Sequence, residues 1–136
     1  MALEDLTPDE LALLQSAFDL AREGDVGQLS ELVDKGIPVN LTNGAGDTLL
    51  ILAAYHSHPE LVRALLERGA DHARVNDRGQ TALAAAVFRR DPESVGLLLG
   101  AGADPDHGPK SAVAIATFFD LPEMLALLGR SSDPSP

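Results

Sequence analysis

A period of 33 residues constrains this 136-residue chain more than any other feature. Equivalent threonines, prolines and Gly-Ala-Asp turns recur at this spacing: Thr48 and Thr81, Pro59 and Pro92, and residues 69–71 and 102–104. A fixed period in this range predicts a stack of like units, each packed against its neighbours. Such a stack has no buried catalytic pocket by default, and it presents an extended surface.

Each unit is predicted to contain two helices. The first begins after Thr81, whose hydroxyl can cap free backbone N–H groups. It ends before Asp91-Pro92, because the residue that precedes a proline is pushed out of the α region. Pro92 then opens the second helix, where its missing N–H costs nothing, and Gly102 ends that helix in a left-handed conformation. Thr48, Pro59 and Gly69 predict the same pair one period earlier.

Two more units extend the array. Residues 111–116 match residues 81–86 at an offset of 30, so the loop around 106–110 is three residues short. Residues 25–36 match the end of a unit, and Thr7-Pro8-Asp9-Glu10 predicts the start of its first helix as a capping box. We predict one domain over 1–130, with units at about 7–42, 43–75, 76–108 and 109–130, and a disordered tail at 131–136.

Equivalence between the units also predicts the core. The residues expected to stack are Leu50, Leu83 and Val113; Ala53, Ala86 and Ala116; and Leu65, Leu98 and Leu128, with Leu32 as the counterpart in the first unit. Small alanines on the first helices should let neighbouring helices approach closely.

Composition excludes several classes of protein. The chain carries 21 acidic and 10 basic residues, a net charge of −11, so we expect no nucleic-acid partner and favour a partner protein with a basic surface. Zero cysteines exclude disulfides and thiolate metal sites. The apolar runs are far shorter than the ~20 residues of a membrane span, and the start of the chain lacks the features of a signal peptide. We therefore expect a cytoplasmic location and no membrane partner.

The period, the threonine caps, the alanine pairs and the Gly-Ala-Asp turns resemble the ankyrin repeat family, over roughly Thr7 to Arg130. The resemblance implies an all-α solenoid of stacked helix-turn-helix units, joined by short hairpin loops called fingers. It also implies a protein-binding module that is not an enzyme and needs no cofactor. The family's Thr-Pro-Leu-His string is replaced here by residues 48–51, 81–84 and 111–114, which predicts less firmly held fingers.

In the family, the finger tips and the exposed side of the first helices form a concave binding face. The resemblance places these partner-binding candidates there: Tyr55, His56, Arg78, Gln80, Phe88, Arg89, Phe118 and Phe119. Aromatic residues and arginine are enriched at interface hot spots, which favours an aromatic groove for a partner helix or peptide. In the alternative interpretation the same rings fold over the hairpins and complete the core.

Signals for other functions are weak. The histidines at 56, 58, 72 and 107 do not have the spacing of a metal site, and no serine lies in a nucleophile pattern. A second hypothesis is self-association as an assembly or scaffold subunit, because terminal units normally present a polar outer face. The last unit instead carries six large apolar residues: Phe118, Phe119, Leu121, Met124, Leu125 and Leu127.

Overall fold

The computed structural model describes residues 6–130. Its helices are α1 Pro8–Glu23, α2 Val26–Asp34, α3 Leu49–Tyr55, α4 Pro59–Glu67, α5 Ala82–Phe88, α6 Pro92–Gly100, α7 Ala112–Phe118 and α8 Pro122–Leu127. Consecutive helices form four packed pairs. The first helices α1, α3, α5 and α7 pack on one another in that order, and so do the second helices α2, α4, α6 and α8. The prediction of an all-α solenoid is confirmed. The tail predicted at 131–136 lies outside the described residues.

Hydroxyl caps begin all four first helices. The side chains of Thr7, Thr48, Thr81 and Ser111 each accept a hydrogen bond from the backbone N–H three residues later. The side chain of Glu10 in turn accepts a hydrogen bond from the backbone N–H of Thr7, which completes the predicted capping box. Each cap satisfies a backbone donor that the helix leaves free, and its loss typically costs about 1 kcal/mol.

Proline and glycine bound the second helices as predicted. Pro59, Pro92 and Pro122 each occupy the first turn of their helix. After α4, Gly69 adopts a left-handed φ of 83°. The N–H of Ala70 then donates to the carbonyl of Leu65, which satisfies an otherwise free carbonyl at the helix end.

Alanine and leucine fill the space between the two layers. Ala53, Ala86 and Ala116 are fully buried, and Leu50, Leu83, Leu65, Leu98 and Leu128 are buried as predicted. Two predicted core residues, Val113 and Leu32, are only half-buried. Both belong to a terminal helix pair, which has a packing partner on one side only within the described residues. The repeat pattern predicts burial correctly where a unit has two neighbours.

Asparagine side chains hold the fingers. The Oδ1 atom of Asn76 accepts backbone N–H groups from Arg78 and Gln80, and its Nδ2 donates to Asp47 of the preceding finger at 2.8 Å. Asn43 accepts two backbone N–H groups in the same way. These bonds tie the fingers together in a chain that lacks the family's Thr–His contacts. No helix among residues 6–130 has the length and apolarity needed to cross a membrane.

Candidate functional site

Three first helices end in the same backbone geometry. Helices α3, α5 and α7 finish on Tyr55, Phe88 and Phe118. One capping residue follows each of them, and the next residue has a positive φ: Ser57 at 61°, Arg90 at 56° and Asp120 at 52°. The repeated geometry places the three helix ends at equivalent positions along the solenoid.

The rings at these helix ends form a continuous contact, the aromatic series, made of Tyr55, Phe88, Phe119 and Phe118. Tyr55 and Phe88 lie nearly parallel, with ring centroids 6.0 Å apart. Phe119, rather than the sequence equivalent Phe118, is the ring that contacts Phe88, at 5.5 Å. Phe119 also contacts Phe118 at 4.9 Å, and both of its contacts are edge-to-face, a geometry that aromatic rings favour. Phe119 therefore bridges the two rings that sequence equivalence had aligned directly.

The phenylalanines of this series lie at the surface. The exposed fractions of Phe88, Phe118 and Phe119 are 37%, 80% and 46%, whereas Tyr55 is half-buried and packs against the core. The rings of α5 and α7 therefore do not complete the core. The three phenylalanines line a pocket of about 340 Å³, which we call the groove, together with Gln80, Lys110, Ala114 and Ile115.

Two arginines lie over the half-buried ring. The guanidinium carbons of Arg78 and Arg89 are 5.6 Å and 5.7 Å from the centroid of Tyr55, within the range of a cation–π interaction. Arg78 also lies 3.6 Å from a carboxylate oxygen of Asp47, which is itself buried and hydrogen-bonded to Asn76. The finger network thus holds one cation beside the series, and the C-terminus of α5 presents the other.

His56 is the remaining predicted residue at this place. Its ring meets Tyr55 edge-on, with centroids 5.3 Å apart. Partial burial lowers the pKa of His56 below its usual value, and the charges of His58, Arg22 and Arg89 lower it further, while Asp47 acts in the opposite direction. The uncharged imidazole of His56 is therefore favoured in the folded state. No group of three or more histidine or carboxylate side chains suited to a metal ion occurs in the described part of the chain.

The structure brings all eight predicted residues together. The aromatic series supplies four of them, His56 and the two arginines contact the Tyr55 ring, and Gln80 lines the groove. Sequence reasoning missed Lys110, Ala114 and Ile115, which also line the groove. The sequence feature that could have pointed to Lys110 is the finger that is three residues short. In this finger the N–H of Lys110 donates to the carbonyl of Gly79, which ties the finger to the preceding one.

The apolar terminal surface is smaller than the sequence predicts. Leu121, at the N-cap of α8, and Met124 and Leu125 within it are buried, and α8 packs against α6 and α7. Phe118, Phe119 and Leu127 are the members of the predicted set that stay exposed.

A family model of ankyrin repeats matches residues 17–108 in three copies, which is more than half of the chain. The chain belongs to the ankyrin repeat family. Ankyrin repeats are in general protein–protein interaction modules, and the family is typically not enzymatic.

Three relatives show the same likeness. An ankyrin repeat protein of Pseudomonas aeruginosa is 42% identical over 59 residues, or 43% of this chain and 34% of its own length. Human ankyrin repeat domain-containing protein 29 is 40% identical over 63 residues, 46% of this chain and 21% of its own. The ankyrin repeat, SAM and basic leucine zipper domain-containing protein 1 of Nomascus leucogenys is 50% identical over 48 residues, 35% of this chain and 10% of its own. The chain thus spans about a third or less of these relatives.

Proposed function

We propose that this ankyrin repeat chain binds a partner protein on the concave face formed by its first helices and fingers, with the groove as the main contact. One observation carries the proposal. The chain has four phenylalanines, one tyrosine and no tryptophan, and of these five rings only Phe18 lies outside the aromatic series. Nearly all the aromatic residues of the chain are therefore gathered at one surface.

The energetics of exposed rings support this reading. A contiguous apolar patch on a protein surface costs free energy of hydration, which burial against a partner recovers. Binding hot spots are enriched in aromatic residues and arginine, and they cluster in pockets that a partner can seal from water. Phe88 and Phe119 have such a pocket at their side, and Arg78 and Arg89 lie next to it.

A matched pair of variants tests the proposal. A partner is first identified by affinity purification and mass spectrometry, and its affinity is then measured for the wild type and for Phe88→Ala/Phe119→Ala. We expect this variant to bind at least about tenfold more weakly, as for the loss of a hot spot. The control Leu13→Ala/Leu127→Ala removes two apolar side chains that are exposed outside the groove, and it should bind as the wild type does. Circular dichroism checks that both variants are folded. Equal affinity of all three proteins would exclude the groove as the contact.

Self-association is a second candidate, favoured by Phe118, which is 80% exposed, and by Leu127 in the same terminal helix pair. In this case the sedimentation coefficient should rise with protein concentration, and Phe118→Ala/Leu127→Ala should abolish the rise. A monomer at all concentrations would exclude it.

A further inference from the structure

We propose that the groove binds an acidic peptide segment of the partner, which places one large apolar side chain in the pocket and its flanking carboxylates on Arg78, Arg89 and Lys110. This inference rests on the proposed function and specifies the chemistry of the partner at the contact. The partner charge proposed here is negative, whereas the net charge of −11 led us to expect a basic partner. The difference arises because the charge of this chain is not evenly distributed.

The first helices carry none of the acidic charge near the groove. Helices α3, α5 and α7 have the sequences LLILAAY, ALAAAVF and AVAIATF, with no charged residue. The glutamates of this part of the chain lie instead on the second helices: Glu60 and Glu67 on α4, Glu93 on α6 and Glu123 on α8. The remaining acidic residues of the described chain lie on α1 and α2 and in the loops, so the net charge of the chain does not describe the first helices that line the groove.

Three cationic side chains lie in or beside the groove. Lys110 forms part of the pocket wall, and Arg78 and Arg89 lie over Tyr55, the ring that stacks on Phe88. Neither Arg89 nor Lys110 forms an ion pair with any residue from 6 to 130.

Carboxylates are fewer at this surface, and one of them already has partners. Asp47 is buried, accepts a hydrogen bond from Asn76 and forms an ion pair with Arg78. Asp77 and Asp120 are exposed on adjoining loops, where Arg90 is a further exposed cation. Arg78 and Asp47 offset each other. Three cations without an ion pair among residues 6–130, Arg89, Arg90 and Lys110, outnumber these two exposed carboxylates, so the local charge complements an acidic ligand.

The pocket supplies the apolar half of the recognition. Phe88, Ile115 and Phe118 contribute its hydrocarbon walls, and a volume of about 340 Å³ lies within the range of sites that bury most of a small ligand. The amide of Gln80 and the ammonium of Lys110 are the polar groups of the wall, and both can hydrogen-bond to peptide carbonyl groups.

The cations are held in place before a ligand arrives. Their contacts with the Tyr55 ring restrict the guanidinium groups of Arg78 and Arg89, so less side-chain entropy is lost when they meet a carboxylate. Exposed ion pairs of this kind contribute modestly on their own, and they select the sign of the partner more than they add affinity. The apolar side chain in the pocket is expected to dominate the affinity.

Three peptides test the inference, each titrated into the ¹⁵N-labelled protein and followed by amide chemical shifts. Their sequences are Glu-Asp-Phe-Asp-Glu, Lys-Arg-Phe-Arg-Lys and Glu-Asp-Ala-Asp-Glu, all with blocked ends. We expect the first to bind at least about tenfold more tightly than the other two, with the largest shifts at Ala114, Ile115 and Phe118. Tighter binding of the basic peptide, shifts outside the groove, or no binding of the first peptide at about 1 mM would each overturn the inference.

Charge-reversal variants separate this inference from the proposed function. Arg89→Glu/Lys110→Glu should weaken the acidic peptide at least about tenfold. The control Lys35→Glu/Arg63→Glu makes the same change in net charge at exposed residues in the layer of second helices. Its affinity for the acidic peptide should stay within about twofold of the wild type. Suppose that Phe88→Ala/Phe119→Ala abolishes binding of the partner protein but Arg89→Glu/Lys110→Glu does not. The groove is then still the binding site, and the proposal of an acidic ligand is wrong. If Phe88→Ala/Phe119→Ala leaves the partner bound, the proposed function itself fails.

Discussion

Helices α5 and α7 carry the same pattern and differ in their surroundings. Helix α5 packs between α3 and α7, and all its residues from Ala82 to Val87 are buried. Helix α7 has a first-helix neighbour only on the side of α5 within the described residues, and there Val113 is half-buried and Ala114 is exposed. The same position in the repeat therefore serves as core inside the solenoid and as surface at its end.

The aromatic rings likewise become more exposed toward the end of the solenoid. Phe88 has ring contacts on both sides, with Tyr55 and Phe119, and it is 37% exposed. Phe118 contacts the ring of Phe119 and is 80% exposed. The groove forms where the internal unit meets the terminal unit, because there the packing of aromatic side chains is incomplete.

The largest expected contrast is in the free energy of unfolding after truncation of the core. Leu83→Ala removes a fully buried side chain of α5 and should cost about 2–5 kcal/mol, whereas Val113→Ala at the equivalent position of α7 should cost about 1 kcal/mol or less. Urea denaturation measures both. Equal losses would mean that the terminal unit is packed as tightly as the internal one.

Replacing an alanine by leucine should give the next largest difference in the free energy of unfolding between α5 and α7. Ala86→Leu in α5 forces extra carbons into a closed contact and should cost about 1–3 kcal/mol. Ala114→Leu in α7 projects into the open groove and should stay within about 0.5 kcal/mol of the wild type. Thermal unfolding of the two variants decides the point, and a marked destabilisation by Ala114→Leu would contradict an open groove.

The caps should show a smaller difference. Thr81→Ala removes a buried hydrogen bond to the N–H of Ala84, and Ser111→Ala removes a partly buried one to Ala114. Both losses should be about 1 kcal/mol, with the larger at Thr81, since water can replace the missing partner more easily at α7. Chemical denaturation of the paired variants measures them. A larger loss at Ser111 would reverse the proposed order of the two units.

The smallest expected effect is on pH dependence. The folded state lowers the pKa of His56 from its unfolded value of 6.5, chiefly by burial, so it disfavours the charged imidazole. The stability that His56 contributes is therefore complete above pH 6.5 and is lost as the pH falls through the lowered folded value.

The melting temperature of the wild type should thus decline slightly below about pH 6.5, and His56→Gln should remove part of that decline. The control His72→Gln, in a finger, should retain it. Should His56→Gln follow the wild-type curve at every pH, His56 would not be the group that titrates.

The parts predicted from the sequence are those set within a single unit. Thr81, Pro92 and Gly102 act through the backbone of their own helices, so their positions alone predict where these helices begin and end. The hydrogen bond from Asn76 to Asp47 and the contact of Phe88 with Phe119 join separate units, so they depend on how the units stack. The rise in exposure from Ala84 to the equivalent Ala114 depends on whether a neighbouring helix covers that face, which a period does not encode.

Methyl cross-saturation from the bound partner protein to this chain is a direct test of the groove as the contact, since it reports which methyl groups touch the partner. If the partner binds in the groove, the largest losses of intensity should occur at Ala114 and Ile115, which line it, and none at Leu13 and Leu127, which are exposed elsewhere. Losses confined to Leu13 or Leu127, with the signals of Ala114 and Ile115 unchanged, would contradict binding in the groove.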